Sequence, residues 1–199
     1  MLRRCLLLLL LAAAPAGCSS PNPTLFVLAP LPDTNMAGTP QAGTSISGAK
    51  ISGAPATVEL REIGLARYLE RPQIVRSSEG FQLDVLSNEW WGEPLGAMLN
   101  RVLVQELTQR LPGSTVFAES GAITVTPAAT VSVNIQRLDA DASGAVVLIA
   151  QVEVSGKSTT TRNVHLTVAP PSTTTGGLVQ AMSQAIAQLA NAIAAMLRG

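Results

Sequence analysis

The sequence predicts an α/β domain in which an antiparallel meander and two long helices share one core. Two observations carry this. Strict alternation of apolar and polar residues recurs at Thr57–Ile63, Phe81–Leu86, Thr130–Leu138 and Thr160–Val168, the mark of strands with one solvated face. Two longer stretches, residues 92–111 and 176–198, instead repeat apolar residues at i, i+3 and i+4, the stripe of an amphipathic helix.

The N-terminus reads as a leader rather than fold. Arg3 and Arg4 precede an apolar run from Cys5 to Ala14, too short to span a bilayer. The run ends in Pro15-Ala16-Gly17-Cys18, which resembles a bacterial lipobox with Cys18 as the lipidation site. Ordinary cleavage after an A-x-A-like site is the alternative. Two or three acyl chains on Cys18 hold a domain durably at a membrane, where one chain alone does so only marginally. Ser19 follows, not the Asp of inner-membrane retention, so the expected location is the outer membrane, facing the periplasm. The expected organisation is a signal peptide over 1–17, a tether over 18–24 and a single domain over 25–199.

Loss of the leader removes two of 13 basic residues and none of the 13 acidic ones, leaving a net charge of about −2, which argues against nucleic acid. It also removes Cys5, and acylation occupies Cys18. Disulfides, thiolate catalysis and cysteine-ligated metals are thereby excluded from the mature chain.

Along the chain, Leu25–Leu28 is a compact apolar run, readable as a strand. Leu31–Pro55 is rich in Gly, Ser, Thr, Ala and Pro and reads as a flexible insertion, since it cannot bury enough apolar surface to offset its ordering entropy. Gly64 is expected to end the Thr57–Ile63 strand. Pro72 lacks a ladder donor, so Gln73–Arg76 is expected at an edge, forming a hairpin with Phe81–Leu86 across a turn at Ser78-Glu79-Gly80. Ser87 or Asn88 is the expected cap of the first helix, with Glu89 and Glu93 near its positive end. Pro94 places the regular helix near Gly92 or Glu93, and Pro112-Gly113 stops it.

A short strand at Thr115–Phe117 leads to the meander: Thr130–Leu138, a turn at Asp139–Gly144, Ala145–Ser155, then Thr160–Val168. Thr173–Thr175 are the cap candidates for an Ala-rich last helix, which reads as core-packing or as partner-binding.

Reactive chemistry is hard to find in these residues. His165, the only histidine, sits between Val164 and Leu166 and points opposite to them. Asp139 and Asp141 lack the spacing of a calcium loop and read as an Asx turn. Nucleophile-elbow, P-loop and dinucleotide signatures are absent from the sequence, so no enzymatic activity, cofactor or metal is expected. Arg67, Arg71 and Arg76 cluster beside Tyr68. They suit anionic head groups or an acidic partner, or else local pairing with Glu70 and Glu79. Trp90 and Trp91 point in different directions, so one belongs to the core and the other to the surface.

The segments Y-L-E-R-P-Q-I-V at Tyr68–Val75 and W-G-E-P-L at Trp91–Leu95 resemble the signature pair of the PqiC-type ABC-transport auxiliary lipoprotein family. The likeness extends over most of residues 25–197, departing at the insertion and at Trp90. It implies a three-layer α/β fold with a mixed, mostly antiparallel sheet, similar to the N-terminal domain of TolB-like proteins. It implies partnership with an MCE-domain periplasmic protein and, through it, an ABC permease and ATPase, with homo-oligomerisation left open. The residues it carries over are Tyr68, Arg71, Pro72, Trp91, Glu93 and Leu95; Trp90 joins them as a surface candidate. They serve either partner contact or the seating of the hairpin on the helix. A lipid-binding carrier and a free-standing envelope scaffold are the rival readings.

Overall fold

A computed structural model describes residues 22–32, 53–122 and 125–199. The leader, Cys18 and most of the 31–55 insertion lie outside these residues. Among the described residues the chain forms a mixed sheet of nine strands and two long helices.

The sheet is built on one long strand. β7 (Ala129–Ala140) pairs antiparallel with β8 (Val146–Ser155) along its whole length, and β8 pairs with β9 (Thr159–Val168). These are the three expected meander strands, and their core positions are filled by Val, Ile, Leu and Ala. On its other side β7 meets three strands in succession: β2 (Thr57–Leu60), β3 (Gly64–Leu65) and β4 (Gln73–Ser77), all parallel to it. The sheet therefore forks. One branch continues from β2 to β6 (Thr115–Ala118). The other continues from β4 to β5 (Asp84–Trp91) and ends at β1 (Thr24–Phe26), which lies parallel to β5.

Helix α1 (Leu95–Arg110) leads from the β5 branch to the β6 branch, and α2 (Thr175–Arg198) lies over β7, β8 and β9. The two helices touch each other and share one hydrophobic cluster with the sheet. Each Leu or Ile buried in that cluster contributes about 1.5–3 kcal/mol relative to exposure. Thr174 caps α2 by accepting the Gly177 N–H at 3.2 Å, as the cap candidates anticipated. Gly177 is required there: a Cβ would lie 2.4 Å from the Ser172 carbonyl oxygen.

Five local expectations are corrected. β4 lies between β5 and β7 rather than at an edge, with Pro72 standing just before its paired residues. Its hairpin partner opens at Asp84, so Phe81–Leu83 precede the strand. The segment Ser87–Trp91 is strand, not helix cap. Its backbone finds partners on both sides, with Trp91 N–H on the Pro72 carbonyl at 2.7 Å and Gly92 N–H on Phe26 at 2.8 Å. That pairing keeps the chain extended until Pro94, which precedes α1 with ψ 129 and no side-chain cap. Gly64 does not close a strand but opens β3, where a Cβ would lie 3.0 Å from Asn134 Oδ1. Asp139 belongs to β7, and only Asp141 forms the Asx turn, accepting the N–H groups of Ser143 and Ala145.

The N-terminal segment is pinned after β1. Leu28 is buried, the Ala29 N–H reaches Ser183 Oγ of α2 at 3.4 Å, and the Leu31 N–H donates to Glu106 Oε1 of α1 at 2.7 Å. Glu106 is fully buried within the α1 stripe and ion-paired with Arg110, which explains a carboxylate on an apolar face.

Candidate functional site

Of the signature residues, Tyr68 reaches the place where the β4–β5 hairpin meets β7. A register shift between Ile135 and Arg137 places a bulge in β7. Plain alternation from Ile135 would put residues 137 and 139 in the helix-side core. The extra residue instead puts Leu138 and Ala140 there and turns Arg137 and Asp139 to the opposite face.

Asp139 is fully buried there and receives three hydrogen bonds. The Tyr68 hydroxyl donates to Oδ2 at 2.7 Å and Ser78 Oγ to the same oxygen at 2.8 Å, while Arg137 Nε donates to Oδ1 at 2.9 Å. Arg137 also pairs with Glu79 at 2.7 Å and donates to the Ala140 carbonyl at 3.1 Å. Tyr68 comes from a single 3-10 turn at Arg67–Leu69. Burial, and then the bond to and charge of Asp139, push its ionisation well above the ordinary phenol range. It therefore stays protonated and acts as a donor. Burial lowers the affinity of Arg137 for its proton, but the Glu79 bond and the Asp139 charge outweigh this and the net shift is upward. The cluster holds three segments of chain together and presents no free base.

The other signature residues are also engaged. Arg71 Nε donates to the Tyr68 carbonyl at 2.9 Å, closing the turn that delivers Pro72. The Pro72 carbonyl accepts from Trp91, whose ring is buried in the core beside Leu95. Glu93 binds Arg101 of α1 at 2.5 Å. The basic cluster does not pair as expected. Arg76 binds Asp84 across the hairpin at 2.7 Å, and Glu79 goes to Arg137 rather than to a neighbouring arginine. Asp139 and Arg137 carry no sequence signal that separates them from ordinary strand residues, because only the bulge brings them to this face, and Ser78 meets them from the hairpin turn.

Trp90 stands apart from this network. It is half-buried, with Nε1 on the Ser87 carbonyl at 3.1 Å. Leu25 is registered beside it on β1 and is 61% exposed, and Val27, 55% exposed, follows on the same face. Together they form an apolar ribbon along the outermost strand. His165 is exposed on β9, facing away from Val164 and Leu166. Among the described residues no helix is long and apolar enough to cross a membrane, and no three His, Cys, Asp or Glu side chains gather as a metal site.

Solved structures share the fold. A crystal structure of an uncharacterized protein superposes with a TM-score of 0.69 at 18% identity, covering 88% of this chain and 99% of the other. A protein from Xanthomonas campestris assigned to the DUF330 family gives a TM-score of 0.60 at 17% identity, over 87% of this chain and 90% of its own. No curated protein matches the sequence. The model of the ABC-type transport auxiliary lipoprotein component matches residues 39–194. The chain belongs to that family, which is an auxiliary transport component and not a known enzyme family.

Proposed function

We infer that the protein is a non-catalytic outer-membrane lipoprotein subunit of an MCE-type ABC transport system. It docks the periplasmic lipid conduit at the outer membrane and so supports envelope integrity. Cys18 carries the acyl anchor, and the energy for transport comes from the distant ATPase.

The observation that carries this reading is the ribbon of Leu25 on the edge strand β1, Val27 just after it and Trp90 on the neighbouring β5. A short edge strand with exposed apolar side chains suits addition of a partner strand or an apolar partner face. Trp at such a position is a frequent binding hot spot. The signature residues Tyr68, Arg71, Pro72, Trp91 and Leu95 support this surface from behind, by fixing the hairpin to the core.

Purification of the full-length lipoprotein from its native envelope, followed by mass spectrometry, tests the reading. Recovery of an MCE-domain protein, reduced several-fold by Trp90→Ala, is expected. Lipid retained by a Cys18→Ala form without any protein partner would favour a carrier instead.

A further inference from the structure

The tip of the β4–β5 hairpin carries two apolar side chains that the fold does not use. Phe81 is fully exposed and Leu83 is 43% exposed. Gly80 and Phe81 both have positive φ, 61 and 65, and the Gln82 N–H closes the turn on the Glu79 carbonyl at 3.2 Å. This is the pattern of a type I′ turn, whose central positions suit Gly and Asn far better than a bulky aromatic. Neither packing nor turn geometry accounts for Phe81.

The tip lies at the end of the domain toward which the chain's N-terminus leads. Thr24 is registered beside Glu89, and Asn88 Nδ2 donates to the Asn22 carbonyl at 3.3 Å. Because β1 and β5 are parallel, tracing the chain back from Thr24 leads along β5 toward Asp84 and the turn. Cys18 stands four residues before Asn22, a reach of at most about 14 Å. Leu83 lies four residues before Ser87, the position that the register sets opposite Asn22, again about 13 Å at strand spacing. The reach of the tether and the depth of the hairpin coincide. The carboxylates flanking the tip are both paired, Asp84 with Arg76 and Glu79 with Arg137, which lowers the cost of bringing them to a lipid surface.

We propose that Phe81 and Leu83 form a second membrane contact, inserting into the interfacial region of the phospholipid leaflet to which Cys18 is anchored. This rests on the lipoprotein reading of Cys18. Tethering holds the tip at high local concentration over the bilayer, so a weak contact is enough to engage it. Phe and Leu are among the side chains that bury at the boundary between head groups and acyl chains. Anchor and tip together fix how the domain stands on the membrane, with the β8–β9 turn at Gly156–Ser158 directed away from it.

The test uses the mature acylated protein in phosphatidylethanolamine–phosphatidylglycerol vesicles, with acylation verified by intact mass and folding by circular dichroism. An environment-sensitive fluorophore is attached at Gln82→Cys, between the two apolar residues, or at Lys157→Cys in the far turn. Acyl-chain-brominated lipid is expected to quench the Gln82→Cys label several-fold more than the Lys157→Cys label. Adding Phe81→Ser and Leu83→Ser is expected to abolish the difference. Equal quenching at both positions on acylated protein would overturn the membrane contact and leave the lipoprotein reading standing. A blue shift without bromolipid quenching would place the tip against protein, which also overturns it. An unacylated Cys18 would remove both readings together.

Discussion

The Tyr68 hydroxyl donates to Asp139 Oδ2 at 2.7 Å, across 71 positions of sequence. This bond ties a signature tyrosine to a buried carboxylate that faces away from the main core. Tyr68→Phe leaves Asp139 with Ser78 and Arg137 but removes one donor to a buried charge, a loss of about 1.5–3 kcal/mol. The urea midpoint is expected to fall by that amount divided by an unchanged m-value.

The same bond sets an alkaline limit. The folded phenol ionises well above its ordinary value of 10.0, while the unfolded phenol ionises near it. Tyr68 thus stabilises the fold fully below that pH and loses its contribution as pH rises toward the folded value. Urea midpoints of wild type and Tyr68→Phe should converge as pH is raised above 10.0. A constant gap would contradict the buried donor.

Much of this architecture is legible in the sequence, and the exceptions have physical causes. β8 and α2 follow their periodicity because each packs one uninterrupted face against the core, and β9 does so through Val164, Leu166 and Val168. Ser87–Trp91 misleads because a Ser-Asn-Glu run before Pro94 has the composition of a helix start, and only β1 and Pro72 supply the pairing that overrides it. Asp139 is hidden by the bulge in β7, since a one-residue shift of register cannot be read from alternation. The forked parallel pairing of β2, β3 and β4 on β7 rests on long-range contacts that leave no local signal.

Glu106 shows how the N-terminal segment is held. It accepts the Leu31 N–H and the Arg110 guanidinium inside the helix layer. Glu106→Ala leaves both donors without this partner, and a loss of about 2–4 kcal/mol follows. Amide exchange at Leu31 should accelerate in the variant. Unchanged protection there would mean that Glu106 does not secure this segment.

Phe81 is expected to lower stability for the sake of its exposed position. Phe81→Asn removes a strained bulky residue at φ 65 and sacrifices no core contact, so the fold should gain about 0.5–1 kcal/mol. Thermal unfolding should rise by about 1–4 °C, while lipid quenching at the neighbouring Gln82→Cys label declines. A less stable Phe81→Asn variant would show that the aromatic ring has a folding role.

Asp141 is held below the usual carboxylate range, first by the Ser143 hydroxyl, with the Ser143 and Ala145 amides and the Arg137 charge adding to it against the larger opposing effect of desolvation. Its contribution is present above the unfolded carboxylate value and is lost as pH falls through the folded one. On acidification from pH 6 to pH 3, wild type should lose stability relative to Asp141→Asn, as read from urea midpoints. Parallel pH profiles would remove the Asx turn from the account.

The proposed docking role rests on the ribbon of Leu25, Val27 and Trp90, and site-specific photo-crosslinking in the native envelope examines it most directly. A photoreactive phenylalanine analogue would replace Trp90, with the same analogue at exposed Thr161 on β9, the far edge of the sheet, as the control. An adduct with an MCE-domain protein is expected from Trp90 at several-fold higher yield than from Thr161. Adducts with lipid alone, or equal yields from the two edges, would contradict the docking subunit.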